Sequence, residues 1–446
     1  MDQMTSEPRP LVLILGVDKY VLEACERHDV EAVVAWGAGA HDYGLQLVPD
    51  GMTVLRVDQV SSPESVLSAL HRAGLGDRRF DAVQTSDEWA MVTAGVLAEH
   101  LGARAIDPVT AVRFRDKTLQ KQRVREVGIP AARTTVIDDI HDVSGIDALP
   151  YERAVLKPIA GAATAMTTVV TSLQQLRDLS DKYRAERTAQ RTFALEEFVD
   201  GGEEWVADGI VYDGEVMFCA LGRYGLPCLS TVDQALPLWL RRFDPDTESW
   251  AYELGEPVVR RALKALGLRD GVFHMEFFYD AELGTLTFGE CAARRGGALV
   301  HEEVQAKFNV HLGEAALLGA LGRKPDLDIQ IRSGTIGGTY LMGRPGTLFS
   351  CPSPAAMREL PGVEYVRVEF AFGGQIAAGV GSTNARIAQV LVSAESEEAM
   401  LRRFDELRVW FDERLLIAPS GGPMRELRAW QREIWPDEDY KDQLWR

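Results

Sequence analysis

Cysteine is scarce and poorly placed for cross-linking. The five copies, Cys25, Cys219, Cys228, Cys291 and Cys351, are scattered, odd in number and without C-x-x-C spacing. That excludes a disulfide framework or a zinc knuckle and fits a reducing cytoplasm. Also missing is any run of about 18 uninterrupted apolar residues, and the start MDQMTSEPRP has no apolar signal core, so membrane spanning and export are not expected. Basic residues are in deficit: 48 Lys and Arg against 67 Asp and Glu leave a net charge of −19. Such a surface disfavours nonspecific attraction to nucleic acid or anionic membranes, so any anionic ligand must be held by local cations. There is no internal repeat and no low-complexity linker. What remains, 446 residues with 46% hydrophobic and 26% charged, reads as a globular chain of two to four packed units.

The apolar runs LVLILG (11–16) and EAVVAWG (31–37), separated by the helix-like KYVLEACERHD, form a β-α-β pattern. TVLRVD, SPESVLSALHRAG and FDAVQTSDE continue it to about residue 100, predicting a parallel sheet with crossover helices. LGVDKY carries one glycine where a dinucleotide fingerprint needs three, so this unit reads as a scaffold. AVRFRDKTLQKQRVREVG predicts one helix stopped at Gly128, and RAVLKPIAGAATAMTTVV a strand, a small-residue loop and a strand. A charged helix follows at 172–190, then antiparallel strands with Asp-Gly turns. Residues 250–267 read as a helix, and 333–416 as an α+β segment. The tail with Trp430, Trp435 and Trp445 reads as a docked helix.

YDAELGTLTFGECAARRGG is the most informative stretch. If Glu282, Leu283 and Gly284 form a three-residue hairpin loop, Glu276 lies opposite Glu290 on one face. Two like charges about 5 Å apart at the β-carbons destabilise a sheet unless something positive lies between them. A divalent cation that prefers oxygen, magnesium before zinc, meets that need. The alternative is that one glutamate is solvated or paired with an arginine. Arg294 and Arg295 follow, placed for a negative group that a metal would also attract. In VLKPIAGAATAMTT, Lys157 ends a strand before a loop of small residues whose N–H groups can approach phosphate, although this is not the Walker loop.

Taken in order, RDK (115–117), the KP loop (157–166), LEEFVDGGEEWVADG (195–209), FHMEF (273–277) and GECAARRGG (289–297) resemble the successive signatures of the ATP-grasp superfamily over roughly residues 10–410. The likeness is greatest to carboxylate–amine ligases that join amino acids, the bacilysin-type dipeptide ligases among them, which also carry E-x-A-A-R. The resemblance implies a mixed α/β and α+β chain with the ATP-grasp fold. Its parts would be an N-terminal parallel-sheet domain (1–108), a linker helix and mobile lid (109–195), an antiparallel catalytic subdomain (196–330) and a C-terminal α+β segment with its tail (331–446).

It implies ATP and Mg2+ as cofactors. Lys117 and Lys157 would contact the nucleotide phosphates, with Thr164 and its neighbours as lid. Met166 and Phe198 would border adenine, Glu196, Glu197, Phe198 and Val199 would form the hinge that reads the adenine edge, largely through backbone groups, and Glu204 would hold the ribose. Glu276 and Glu290 would ligate magnesium. Ala292 stands where many members have asparagine, which leaves a third protein ligand in doubt and points towards the amino-acid ligases. Arg294 would steady the transferred phosphoryl group, and Arg295, Gly296 and Gly297 would meet a substrate carboxylate. His274 and His301 read as packing or loop residues.

The implied reaction is phosphorylation of a carboxylate followed by amine attack, leaving an amide, ADP and phosphate. The rivals are a carboxylase acting through carboxyphosphate, which would need an acceptor, and a nucleotide-binding module without turnover. Residues 223–243 are the candidate for substrate selection, with Arg241 and Arg242 as anion contacts or a solvated basic patch. Partners are small-molecule acids and amines, not nucleic acid or membrane. A homodimer is compatible with this reading.

Overall fold

The computed structural model describes residues 9–37, 46–200, 202–234, 236–369, 373–376 and 386–418. Strands Leu11–Leu15, Glu31–Gly37, Thr53–Val57 and Ala82–Thr85 pair in parallel in the order third, second, first, fourth. LVLIL is buried along its whole length, as a strand covered on both faces must be. The crossover helices start on side-chain caps: Asp18 accepts from Tyr20 N, and Ser62 from Ser65 N with Pro63 behind it.

The expected single helix after residue 108 is two helices, Pro108–Arg115 and Lys117–Glu126. Asp116 breaks them. Its extended backbone leaves its carboxylate free to cap Thr118 N and Leu119 N, which stabilises a new start more than continuation would. A four-stranded antiparallel sheet follows, in the order Thr134–Ile137, Phe193–Glu197, Ala154–Pro158, Thr168–Val170, backed by helix Leu173–Ala185.

The largest sheet has eight antiparallel strands in the order Thr285–Ala292, Gly271–Asp280, Glu203–Tyr212, Glu215–Tyr224, Trp239–Arg242, Thr335–Leu341, Ala388–Ala394 and Val363–Val368. Asp213 and Gly214, at φ +49° and +80°, form the expected tight turn between its third and fourth strands. Helix Leu312–Ala320 joins this sheet to the parallel one. A methyl group on Gly313 would lie 2.3 Å from Tyr20 Cβ, so only glycine lets the helices approach. One apolar cluster accordingly runs from Val12 and Leu22 through Leu312 to Val206 and Phe218. The tail with Trp430, Trp435 and Trp445 lies outside the described residues.

Candidate active site

The two glutamates face each other, by a route other than the one expected. The turn holds four residues, 281–284, and pairs Asp280 with Thr285, which would leave Glu276 opposite Gly289 and turn Glu290 to the far side. A bulge between Glu276 and Phe277 takes up the extra residue, so Glu276 pairs with Glu290. Gly289 is the residue absorbed; a Cβ there would sit 2.9 Å from Glu276 O.

Both carboxylates line a cavity of about 770 Å³ between the three larger sheets. Lys117 Nζ is 3.0 Å from Glu290 Oε2 and donates to Gly161 O of the small-residue loop at 3.0 Å. Lys157 Nζ lies 2.8 Å from Glu196 and 4.0 Å from Glu290. Burial alone would raise Glu290, but Lys117 and Lys157 outweigh it and hold the carboxyl well below its ordinary range. Glu204 is raised, first by burial and then by the nearby charge of Glu276. The lysines thus hold the Glu290 carboxylate ionised while burial favours the neutral form of Glu204. Gln120 locks the arrangement, exchanging hydrogen bonds with Cys291 N and O at 2.8 Å each, which ties the helix of Lys117 to the strand of Glu290.

Arg294 pairs with Glu88 and donates to Arg295 O at 2.8 Å. Glu88 also holds Arg115 at 2.6 Å, and Arg115 reaches Ala160 O in the small-residue loop. Arg295 pairs with Asp18 at 2.8 Å and lies over the Tyr20 ring. Its charge is thus taken up by a buried carboxylate, although it and both glycines of the elbow line the cavity.

Other expected residues fall as follows. Thr164, Phe198, Val199 and Glu204 line the cavity. Glu196 does too, and its carboxylate is buried between Lys121, at 3.0 Å, and Lys157, so it is not solvent-facing. Glu197 also lines the cavity while its carboxylate turns outward to Arg133 at 2.6 Å. Met166 is partly buried against the small sheet's core and is not among the residues that line the cavity. Arg241 and Arg242 correct the expectation of anion contacts. Arg241 pairs with Glu248 and Glu397 at 2.8 Å each, and Arg242, fully buried, bridges Asp208 at 2.8 Å and Glu303 at 2.9 Å. His301 is packed, stacked on Tyr20 with ring centroids 3.7 Å apart.

His274 is more than packing. Its ring spans Asp208 (2.8 Å) and Glu276 (3.4 Å), joining Glu276 to the buried Arg242 network. Burial would lower its pKa, but Asp208 and Glu276 push it up to about 10. A proton held more tightly in the folded state gives stabilisation that is complete below pH 6.5 and lost as pH rises towards 10. Across that interval the wild type should lose stability with rising pH relative to His274→Gln. Urea midpoints of the two proteins between pH 6 and 10 check this; parallel curves would refute it.

The sequence reading missed Glu88, Asp18 and Lys121. The first two stand just past the carboxyl ends of parallel strands, where open α/β sheets present ligands. Lys121 lies one helical turn beyond Lys117, on the same face. Burial pushes it down to about 8 despite Glu196.

Comparison with solved structures gives the fold. The fold superposes on an L-amino acid ligase from Bacillus licheniformis with a TM-score of 0.73 at 19% identity, covering 93% of this chain and all of that one. It superposes on carboxyaminoimidazole ribonucleotide synthase from Aspergillus clavatus with a TM-score of 0.65 at 14% identity, covering 90% and 97%. This is the ATP-grasp fold. In sequence, the chain is 26% identical over 271 residues to an L-arginine-specific L-amino acid ligase of Bacillus subtilis. The match covers 60% of this chain and 64% of the relative, so the chain spans less than two thirds of that protein's length. No family model matches. The chain thus has the ATP-grasp fold and is similar in sequence to an L-amino acid ligase.

Proposed function

We propose that this protein is an ATP-dependent ligase that joins a carboxylate substrate, an amino acid, to an amine through an acyl phosphate, releasing ADP and phosphate. The observation that carries this is the convergence of Glu276 and Glu290 with Lys117, Lys157 and Arg294 on one cavity wall. The L-amino acid ligases among its relatives support the substrate class. In this reading the N-terminal domain spans 1–108, the lid unit 109–195, the catalytic subdomain 196–330 and the C-terminal segment 331–446. The hinge strand and Phe198 receive the nucleotide base, Glu204 the ribose, and the loop at 157–166 with its lysines the phosphates.

Among the described residues no group of three or more acidic, His or Cys side chains forms a ready-made metal site. The donor set still fits magnesium, which is commonly held by one or two carboxylates together with substrate phosphates and water. Glu276 and Glu290 would hold it, and when bound it would neutralise charge on the transferred phosphoryl group. The remaining work falls to the chain's own groups. Lys117 and Lys157 screen the phosphates so that the substrate carboxylate can approach, and Arg294 follows the charge that builds on the phosphoryl oxygens. The carboxylate oxygen bonds to the γ-phosphorus as the bond to the β-phosphate oxygen breaks. An amine then bonds to the acyl carbon, phosphate leaves, and the amine gives up a proton. The small-residue loop, anchored through Ala160 and Gly161, excludes water from the anhydride.

The test is release of ADP and phosphate across pairs of amino acids with magnesium. Release is expected only when both an acid and an amine are present, and it should stop on chelation. Turnover with bicarbonate and an acceptor would favour a carboxylase, and nucleotide binding without turnover in any pair would favour a non-catalytic module.

A further inference from the structure

The site is laid out in rows on one face of the eight-stranded sheet. In the first row Glu290, Glu276, Val206, Gly222 and Arg242 pair across five neighbouring strands. Two residues further along, Tyr224, Leu240 and Gly338 pair on the same face. Helix Val300–Phe308 packs over these rows, with Leu299 at its cap and Glu303 one turn on, both beside Gly338. A Cβ on Gly338 would lie 3.5 Å from Leu299 Cβ, an ordinary contact, but 2.7 Å from Glu303 Oε1. The bare backbone of Gly338 therefore makes room for that carboxylate oxygen, and both residues line the cavity.

Glu303 is buried, its side chain 2% exposed, and its two oxygens are unequally served. Oε2 accepts from Arg242 Nε at 2.9 Å, whereas Oε1 has no hydrogen-bond partner among the described residues. A buried carboxylate oxygen without a donor is costly. Arg242 divides its charge between two carboxylates, since its Nη1 holds Asp208 at 2.8 Å. Arg386 lies over the Tyr340 ring and is paired with Glu369. Neither arginine is on the cavity wall. What Glu303 Oε1 lacks is a positively charged hydrogen-bond donor arriving from the cavity.

Resting on the ligase reading above, we propose that Glu303 Oε1, uncovered by Gly338, is the contact for a primary ammonium group of one of the two substrates. An amino acid that supplies the acyl group carries such a group, and so does the amine before it gives up a proton. The carboxylate would hold it by a charge-assisted hydrogen bond on the wall that Tyr224 and Tyr340 also line. Arg242, Asp208 and His274 join Glu303 to Glu276 in one bonded chain. The ammonium contact and the two-glutamate centre are thereby fixed relative to each other.

The experiment takes the pair of amino acids that the wild type turns over fastest and measures KM for the acid, the amine and ATP in turn, in the wild type, Glu303→Gln and Gly338→Ala. Glutamine keeps an oxygen for Arg242 and presents an amide where the unpartnered oxygen stood. Alanine leaves Glu303 charged but covers it with a methyl group. Each variant is expected to raise KM for one organic substrate by about ten- to a hundredfold and to leave KM for ATP unchanged. A rise for the acid, absent with its 2-hydroxy analogue, places the ammonium of the acid at Glu303. A rise for the amine alone places the attacking amine there. Unchanged KM for both substrates, an equal rise for ATP, or a rise that the 2-hydroxy analogue shares would overturn the assignment. If Glu303→Gln fails to bind ADP, Gly338→Ala alone decides. Failure of the wild type to release ADP with any pair would instead overturn the ligase reading.

Discussion

Replacing Glu290 with glutamine is expected to lower ADP release by on the order of 10²–10³-fold, while leaving the protein folded. The amide keeps the shape of the carboxyl but removes the charge that faces Lys117 and Lys157 and the oxygen that would hold magnesium. Lys157 keeps Glu196 as its partner, and Lys117 keeps Gly161 O, so neither lysine is left buried without a contact. The side chain of Glu290 is about one-third exposed to the cavity, so a neutral group there can be hydrated. The loss should therefore appear in turnover and not in the unfolding midpoint. Initial rates at saturating magnesium, beside a urea titration, check both halves; a variant with near wild-type turnover would remove the two-glutamate centre from the mechanism.

The second large effect is on stability. Arg242→Met should cost about 3–5 kcal/mol, because it strands two buried carboxylates without the cation that neutralises both. Asp208 and Arg242 have no exposed side-chain surface and Glu303 has 2%. Asp208 would retain His274, but Glu303, which burial already pushes up to about 7 even with Arg242 present, would have to take up a proton. The measurable result is a lower urea midpoint with a slope close to that of the wild type. Arg269→Ala is the control: its pair with Asp213 is about three-quarters exposed on both sides, and its removal should leave the midpoint unchanged. A similar midpoint for both variants would show that the buried network contributes little.

How far the sequence could be read follows from what each feature depends on. The parallel sheet was legible because a strand buried on both faces has to be apolar throughout, as LVLIL is. Helix ends at Gly128 and Gly267, and the Asp-Gly turn, were legible because positive backbone φ angles select for glycine. The pairing of Glu276 with Glu290 was reached with a turn one residue too short and no bulge; the two errors cancel, because a bulge adds to one strand what the longer turn removes. The buried arginines could not be placed. RRF following a mixed stretch looks the same whether it meets solvent or two carboxylates, and Asp208 and Glu303 lie 34 and 61 residues away in sequence. The packing of Met166 against the small sheet was illegible for a related reason: a small-residue loop does not reveal which of its few larger side chains turns inward.

The adjacent arginines are each gripped from outside the sheet that carries them, one by Glu88 and the other by Asp18, both at the tips of the parallel strands. The first hundred residues thus set the position of both guanidinium groups. A chimaera that borrows this portion from another protein of the same fold would inherit a different setting of both guanidinium groups, so transplanted specificity should travel with the two halves matched and fail when they are mixed.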